Sequence, residues 1–116
     1  NKTYRGGIIA PGVKLSLETL VKSAEQIPLF KITKINNVIG KNTISALRSG
    51  FYWGYLGLIN NIMQLVKKET KSNFKIILTG GFSYLFKNSL KYKVIIDKDI
   101  TIKGLIKILK IKKNFK

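Results

Sequence analysis

The chain contains no cysteine and no histidine. The first absence excludes disulfides and thiolate chemistry. The second removes imidazole metal ligands, histidine general bases and Ser-His triads. Acids are scarce too. Against 22 lysines and arginines stand five carboxylates, Glu18, Glu25, Glu69, Asp97 and Asp99, and no two of them form a paired-carboxylate motif. Any acid or base would have to come from these five. Arginine occurs only at Arg5 and Arg48. There is no initiator methionine and no leader-like n-region or apolar h-region, while a strand-like pattern already runs by Tyr4. A segment preceding Asn1 is the expectation.

What is present is a chain of 116 residues, 45% apolar, which suits one domain with its own core. The net charge of +17 has two readings. One is phosphate neutralisation, on nucleic acid or an anionic membrane. The other is a lysine-rich compositional background. A nucleic-acid surface favours arginine, whose planar fork suits phosphate and guanine. Here nearly every cation is lysine in a chain crowded with Ile and Asn, so background is the expectation, with no specific nucleic-acid partner.

Along the chain, residues 3–10 read as two short strands or one bent strand, closed by Pro11-Gly12. Residues 13–26 have helical spacing, with Val13, Leu17, Leu20, Val21 and Ala24 on one face and Pro28 as the stop. Residues 29–38 read as a surface connection. The longest helix is predicted over residues 44–68, with Thr43 as its N-cap and Ile44, Leu47, Phe51, Leu58, Ile62 and Leu65 as its apolar stripe. Beside that stripe lie Ala46, Gly50, Gly54 and Gly57. Interior glycines each cost about 1 kcal/mol against alanine, which calls for another backbone coming close.

No charge falls within residues 49–66, yet Asn60, Asn61 and Gln64 do, and a buried or interfacial helix is preferred to a membrane span. Strands are predicted at 74–78 and 92–96, helices at 82–90 and, capped by Thr101, at 101–111, and a frayed basic tail over 112–116. The order argues an α/β layer structure with a mixed sheet and flanking helices. No internal repeat or low-complexity segment is found.

Each motif has a plain structural reading. Thr79-Gly80-Gly81 between strand and helix could receive a phosphate or purine, but glycines there are more often turn chemistry. Gly40-Lys41-Asn42-Thr43 offers an ammonium, an amide and a hydroxyl at a helix start; it is not a Walker loop, and Thr43 reads first as a cap. The aromatics Phe51, Tyr52, Trp53 and Tyr55 could stack on bases, yet at helical spacing they read as core and subunit interface.

In combination and order these segments are more specific. Gly6-Gly7-Ile8-Ile9-Ala10-Pro11-Gly12 comes first. Ile39-Gly40-Lys41-Asn42-Thr43 follows, with Ala46, Gly50, Gly54 and Gly57, and then Thr79-Gly80-Gly81. Last come Asp97, Ile100-Thr101 and Gly104-Leu105. Together they closely resemble the C-terminal half of type III pantothenate kinases, a family that includes the Bvg-accessory-factor-like proteins.

The resemblance implies a cytoplasmic homodimer of two-domain subunits with ribonuclease-H-like domains of the actin and sugar-kinase superfamily. It implies transfer of the γ-phosphoryl group of ATP to pantothenate, entering coenzyme A biosynthesis, with a monovalent cation such as potassium. Residues 1–116 would form the C-terminal domain, with the N-terminal domain absent. Thr43 matches the threonine that contacts pantothenate across the dimer interface, and the glycine-striped helix over 44–68 would pack on its mate. Gly80 and Gly81 match the adenosine end of the nucleotide site.

The family's Asp-x-Gly-Asn-Thr phosphate loop, its Gly-x-Asp-Arg segment with the catalytic aspartate, and its Asp-x-Gly-Thr turn all match nothing here. Most cation ligands lie with them, so the chain is expected to be inactive alone. Asp97 and Asp99 match a strand end away from that chemistry. Lys98 stands where the family often has proline. The competing readings are a non-enzymatic interaction module or degenerate relative, and a basic nucleic-acid binder.

Overall fold

The computed structural model describes residues 3–24 and 26–113. The chain divides into two compact units, residues 1–31 and 32–116. Glu25 and residues 114–116 lie outside the described residues, and with them one candidate acid and the end of the expected tail.

In the first unit, residues 3–10 form no strand. A strand exists only against a ladder partner, and among the described residues none pairs with this segment. It runs exposed through Tyr4 and Ile9, and Gly6 adopts φ +117°. The helix α1 (Val13–Ser23) follows, its first bond donated by Ser16 N–H to Gly12 O at 3.0 Å. Val13 is buried and Leu17, Leu20, Val21 and Ala24 are half-buried, so the predicted face is the one the structure uses. The helix stops short of the predicted end. Ala24 is extended, and Ile27 N–H turns back to Ala24 O at 3.3 Å. Pro28 disfavours a helical Ile27, and the chain leaves the helix ahead of it.

The second unit is built on α2 (Thr43–Thr70), 28 residues long. Its N-cap is Asn42, not Thr43. Ser45 N–H donates to Asn42 Oδ1 at 2.8 Å, while Ser45 Oγ accepts from Asn42 N–H at 3.0 Å and from Lys41 N–H at 2.9 Å. This is a reciprocal capping box in which serine replaces the usual glutamate. Lys71 ends the helix in the left-handed region at φ 50°.

The buried stripe of α2 differs from the predicted one. Ser49, Tyr52 and Leu56 are buried, whereas Leu58 and Leu65 are exposed. Polar bonds select this face. Ser49 Oγ donates to Val38 O, and the Tyr52 hydroxyl meets Ser89 Oγ at 2.5 Å. Asn60 Oδ1 accepts from Lys91 N–H at 3.0 Å. The Tyr52 ring stacks on Phe86 with centroids 5.9 Å apart.

Two strands, β1 (Ile76–Leu78) and β2 (Val94–Ile96), pair in parallel with Ile76 opposite Val94. Between them lie the single-turn helix α3 (Ser83–Phe86) and a 3₁₀ turn (Lys87–Ser89), where one helix over 82–90 was expected. The described sheet is thus parallel and two-stranded rather than mixed. Both strands are shorter than predicted, since Phe74, Lys75, Tyr92 and Lys93 find no ladder partner among the described residues.

The last helix, α4 (Ile100–Lys113), takes its first bond from Lys103 N–H to Asp99 O at 2.9 Å, so Thr101 lies inside it and does not cap it. It carries Lys112 and Lys113, which were expected in a frayed tail, and no residue of it is buried. The architecture is α/β.

Candidate functional site

The segment ahead of α2 is held down at three points. Ser49 binds Val38 O, Trp53 Nε1–H donates to Asn37 O at 3.3 Å, and the capping box closes the end. Gly40 makes the closest approach. A β-carbon there would lie 2.2 Å from Ala46 N and 2.3 Å from Ala46 Cα, so only glycine lets this strand of backbone rest on the first turn of α2. The sequence shows a glycine in a loop at this point; the backbone approach that requires it is visible only in three dimensions.

An open cleft forms in front of this helix start, lined by Asn36, Asn37, Lys41, Asn42, Ser45 and Arg48 among others. No acidic residue lines it. Two cationic side chains join the positive end of a 28-residue helix there, a combination that favours anionic or polar ligands.

Thr43, the predicted substrate residue, is exposed on the same first turn but is not among the cleft-lining residues. With Ala46, Gly50, Gly54 and Gly57 it shares the face of α2 opposite Tyr52 and Leu56. All five are exposed, and no described atom lies within 4 Å of a β-carbon at Gly50, Gly54 or Gly57 beyond the helix's own backbone. The backbone approach that such a stripe serves is therefore not made within the described chain.

A second cluster lies at the carboxyl edge of the sheet. Gly80 has φ +92°, which a side chain would strain, and its carbonyl accepts from Ser83 N–H at 3.2 Å and Ser83 Oγ at 2.7 Å. Gly81 is exposed with open space beside it. The helix that follows is one turn long, so it adds little of the dipole that a longer helix would bring.

Asp97 joins the same edge. Its N–H donates to Leu78 O at 3.0 Å, and its carboxylate takes Lys103 Nζ at 2.8 and 2.9 Å and Asp99 N–H at 3.0 Å. The Lys103 hydrogen bond holds the Asp97 carboxyl below the ordinary carboxylate range against a smaller opposing effect of burial, and the Asp99 N–H assists. The same bond raises the Lys103 ammonium above its usual value. Sequence reasoning placed Asp97 at a strand end but missed Lys103. An Asp six residues ahead of a Lys across a helix start was the available signal.

Among the described residues no three acidic groups gather to hold a metal ion, and no described helix is long and apolar enough to cross a membrane.

The sequence pattern of the family described as type III pantothenate kinase matches residues 1–65. A protein of Pelagibacter ubique (strain HTCC1062) named type III pantothenate kinase is 69% identical over 105 residues, covering 90% of this chain and 42% of that protein. Proteins of the same name from Cereibacter sphaeroides strains ATCC 17029 and KD131 are each 42% identical over 103 residues, covering 89% of the chain and 40% of their own length. The chain thus spans about two fifths of the length of the curated relatives it matches.

Proposed function

Because the chain belongs to the type III pantothenate kinase family, we propose that it is the C-terminal, dimer-forming and pantothenate-contacting part of a kinase that transfers the γ-phosphoryl group of ATP to pantothenate. The carrying observation is Thr43. The Gly40–Ala46 approach and the Asn42–Ser45 box fix it on the first turn of α2, at the head of an open glycine stripe. A second subunit laid on that stripe would bring its own site up to the Thr43 hydroxyl. The helix start favours the carboxylate of an anionic substrate there, while Lys41 and Arg48 line the neighbouring cleft.

The domain is ribonuclease-H-like in this proposal, with the parallel pair β1–β2 as part of a larger sheet, and the enzyme is cytoplasmic. Gly80 and Gly81 receive the adenosine end of ATP, whose approach an exposed, side-chain-free turn allows. Phosphoryl transfer needs a positioned base and a cradle for the phosphates. Asp97, the carboxylate at the Gly80 turn, is engaged by Lys103, and no carboxylate is among the residues lining the cleft at the start of α2. Those groups, and most ligands for a potassium ion, belong to residues outside this chain. The chain alone is inactive.

The test is a hybrid in which this chain replaces the matching segment of the Pelagibacter relative. ATP-dependent phosphorylation of pantothenate by the hybrid, and none by the 116-residue chain, is expected. An inactive hybrid, or turnover by the chain alone, overturns the proposal.

A further inference from the structure

The parallel pair β1–β2 ends at its carboxyl edge in two turns, Thr79-Gly80-Gly81 after β1 and Asp97-Lys98-Asp99 after β2. Ligands of open parallel sheets bind outside this edge. The two turns are joined by the Asp97 N–H bond to Leu78 O, one rung beyond the strand pairing. The side chain of the same residue does two further things. It closes its own turn by accepting Asp99 N–H at 3.0 Å, and both its oxygens hold Lys103 Nζ, at 2.9 and 2.8 Å, on the first turn of α4. On the other side, Ser83 grips Gly80 O through its N–H and its hydroxyl. The stretch from Leu78 to Gly80 is therefore held between Asp97 and Ser83.

Stability is a weak reason for such an arrangement. The Lys103 side chain is 63% exposed and that of Asp97 25%, and ion pairs this accessible contribute little to folding. What a two-oxygen contact does supply is orientation. It fixes the direction of the Asp97 N–H, and through it the end of β1, against the start of α4.

We propose that Asp97 and Lys103 are positioning residues for the nucleotide: their ion pair sets the Thr79-Gly80-Gly81 turn in the conformation that receives ATP. The inference rests on the function proposed above. Neither residue touches the reacting atoms, and both act through the turn.

The test uses the hybrid enzyme carrying Asp97→Asn, Lys103→Met or both, with kcat, the KM for each substrate and the thermal midpoint measured for each. Every variant is expected to raise the KM for ATP roughly 3- to 10-fold, with the double variant no worse than either single one, as a shared contact requires. The KM for pantothenate, kcat and the thermal midpoint should stay close to those of the unsubstituted hybrid. Lys103→Met sits on an exposed helix face and keeps the inference testable if Asp97→Asn folds poorly. An unchanged KM for ATP overturns it. So does a fall of kcat and thermal midpoint together with a rise in both KM values, which marks a merely structural pair. An inactive unsubstituted hybrid overturns the functional proposal and this inference with it; an active hybrid with an unmoved KM for ATP overturns this inference alone.

Discussion

Two glycines of this chain respond oppositely to a single methyl group. At Gly40 an added β-carbon meets the backbone of Ala46 at 2.2 Å, and backbone cannot swing aside as a flexible side chain does. Gly40→Ala should lower unfolding stability by about 1–3 kcal/mol, as overpacking does, read from the urea midpoint. At Gly54 the added carbon meets open space inside a helix. There Gly54→Ala should raise the stability of the isolated chain by up to about 1 kcal/mol. The bulkier Gly54→Leu should weaken self-association of the hybrid in sedimentation, if the stripe is the dimer contact. Thr43→Ala removes a hydroxyl that does not cap α2, so it should raise the KM for pantothenate in the hybrid with little change in thermal midpoint. Asp97 carries a pH signature. Its folded pKa lies below its unfolded value, so its contribution is present above the ordinary carboxylate value and is lost as pH falls through the folded one. Lys103 is shifted upward, so its contribution is lost only as pH rises past its ordinary 10.5. The acid limb of a stability–pH curve should therefore flatten slightly in Asp97→Asn.

At the scale of elements, α2 and α4 are both helices by sequence pattern, yet they are held differently. On α2, Tyr52 is fully buried, stacked on Phe86 and bonded to Ser89. Tyr52→Phe should cost about 0.5–1.5 kcal/mol for one hydrogen bond, and Tyr52→Ala about 3–5 kcal/mol for the ring. No residue of α4 is buried, and Ile102, Leu105, Ile106 and Leu109 face solvent. A 14-residue helix without tertiary packing is marginal in water. In the isolated chain its amides should exchange with solvent far faster than those at the centre of α2, measured by hydrogen exchange. Helical periodicity located α2 to within two residues of each end. Of the predicted apolar stripe, Ile44, Leu47, Phe51 and Ile62 are half-buried but Leu58 and Leu65 are exposed, because Ser49, Tyr52 and Asn60 are drawn inward by partners 11 to 37 residues away along the chain. An alternating or apolar segment such as residues 3–10 reads as a strand, and whether it is one depends on a neighbour that local pattern does not contain.

At the scale of the whole molecule, the chain matches about two fifths of its relatives and leaves apolar surface open on α4 and at Ile77 and Ile95 of the sheet. The net charge of +17 adds a diffuse attraction for polyanions. Binding of duplex DNA by the isolated chain should be weak, indifferent to sequence and lost steeply between low and physiological salt in a titration; retention at high salt would instead point to a dedicated nucleic-acid surface. Composition by itself determined that thiolate and imidazole chemistry are excluded, because the atoms are absent. The ordered glycine, Thr43 and Thr79–Gly81 segments likewise carried the resemblance to the family, because motif order along the chain is a property of the sequence that needs no contact in space. Only the tertiary structure decided that Asn42 rather than Thr43 caps α2, that Gly40 rests on Ala46, and that Asp97 with Lys103 stands at the Gly80 turn. Each of these is a contact in space, set where chain segments meet, and residue spacing alone does not place them.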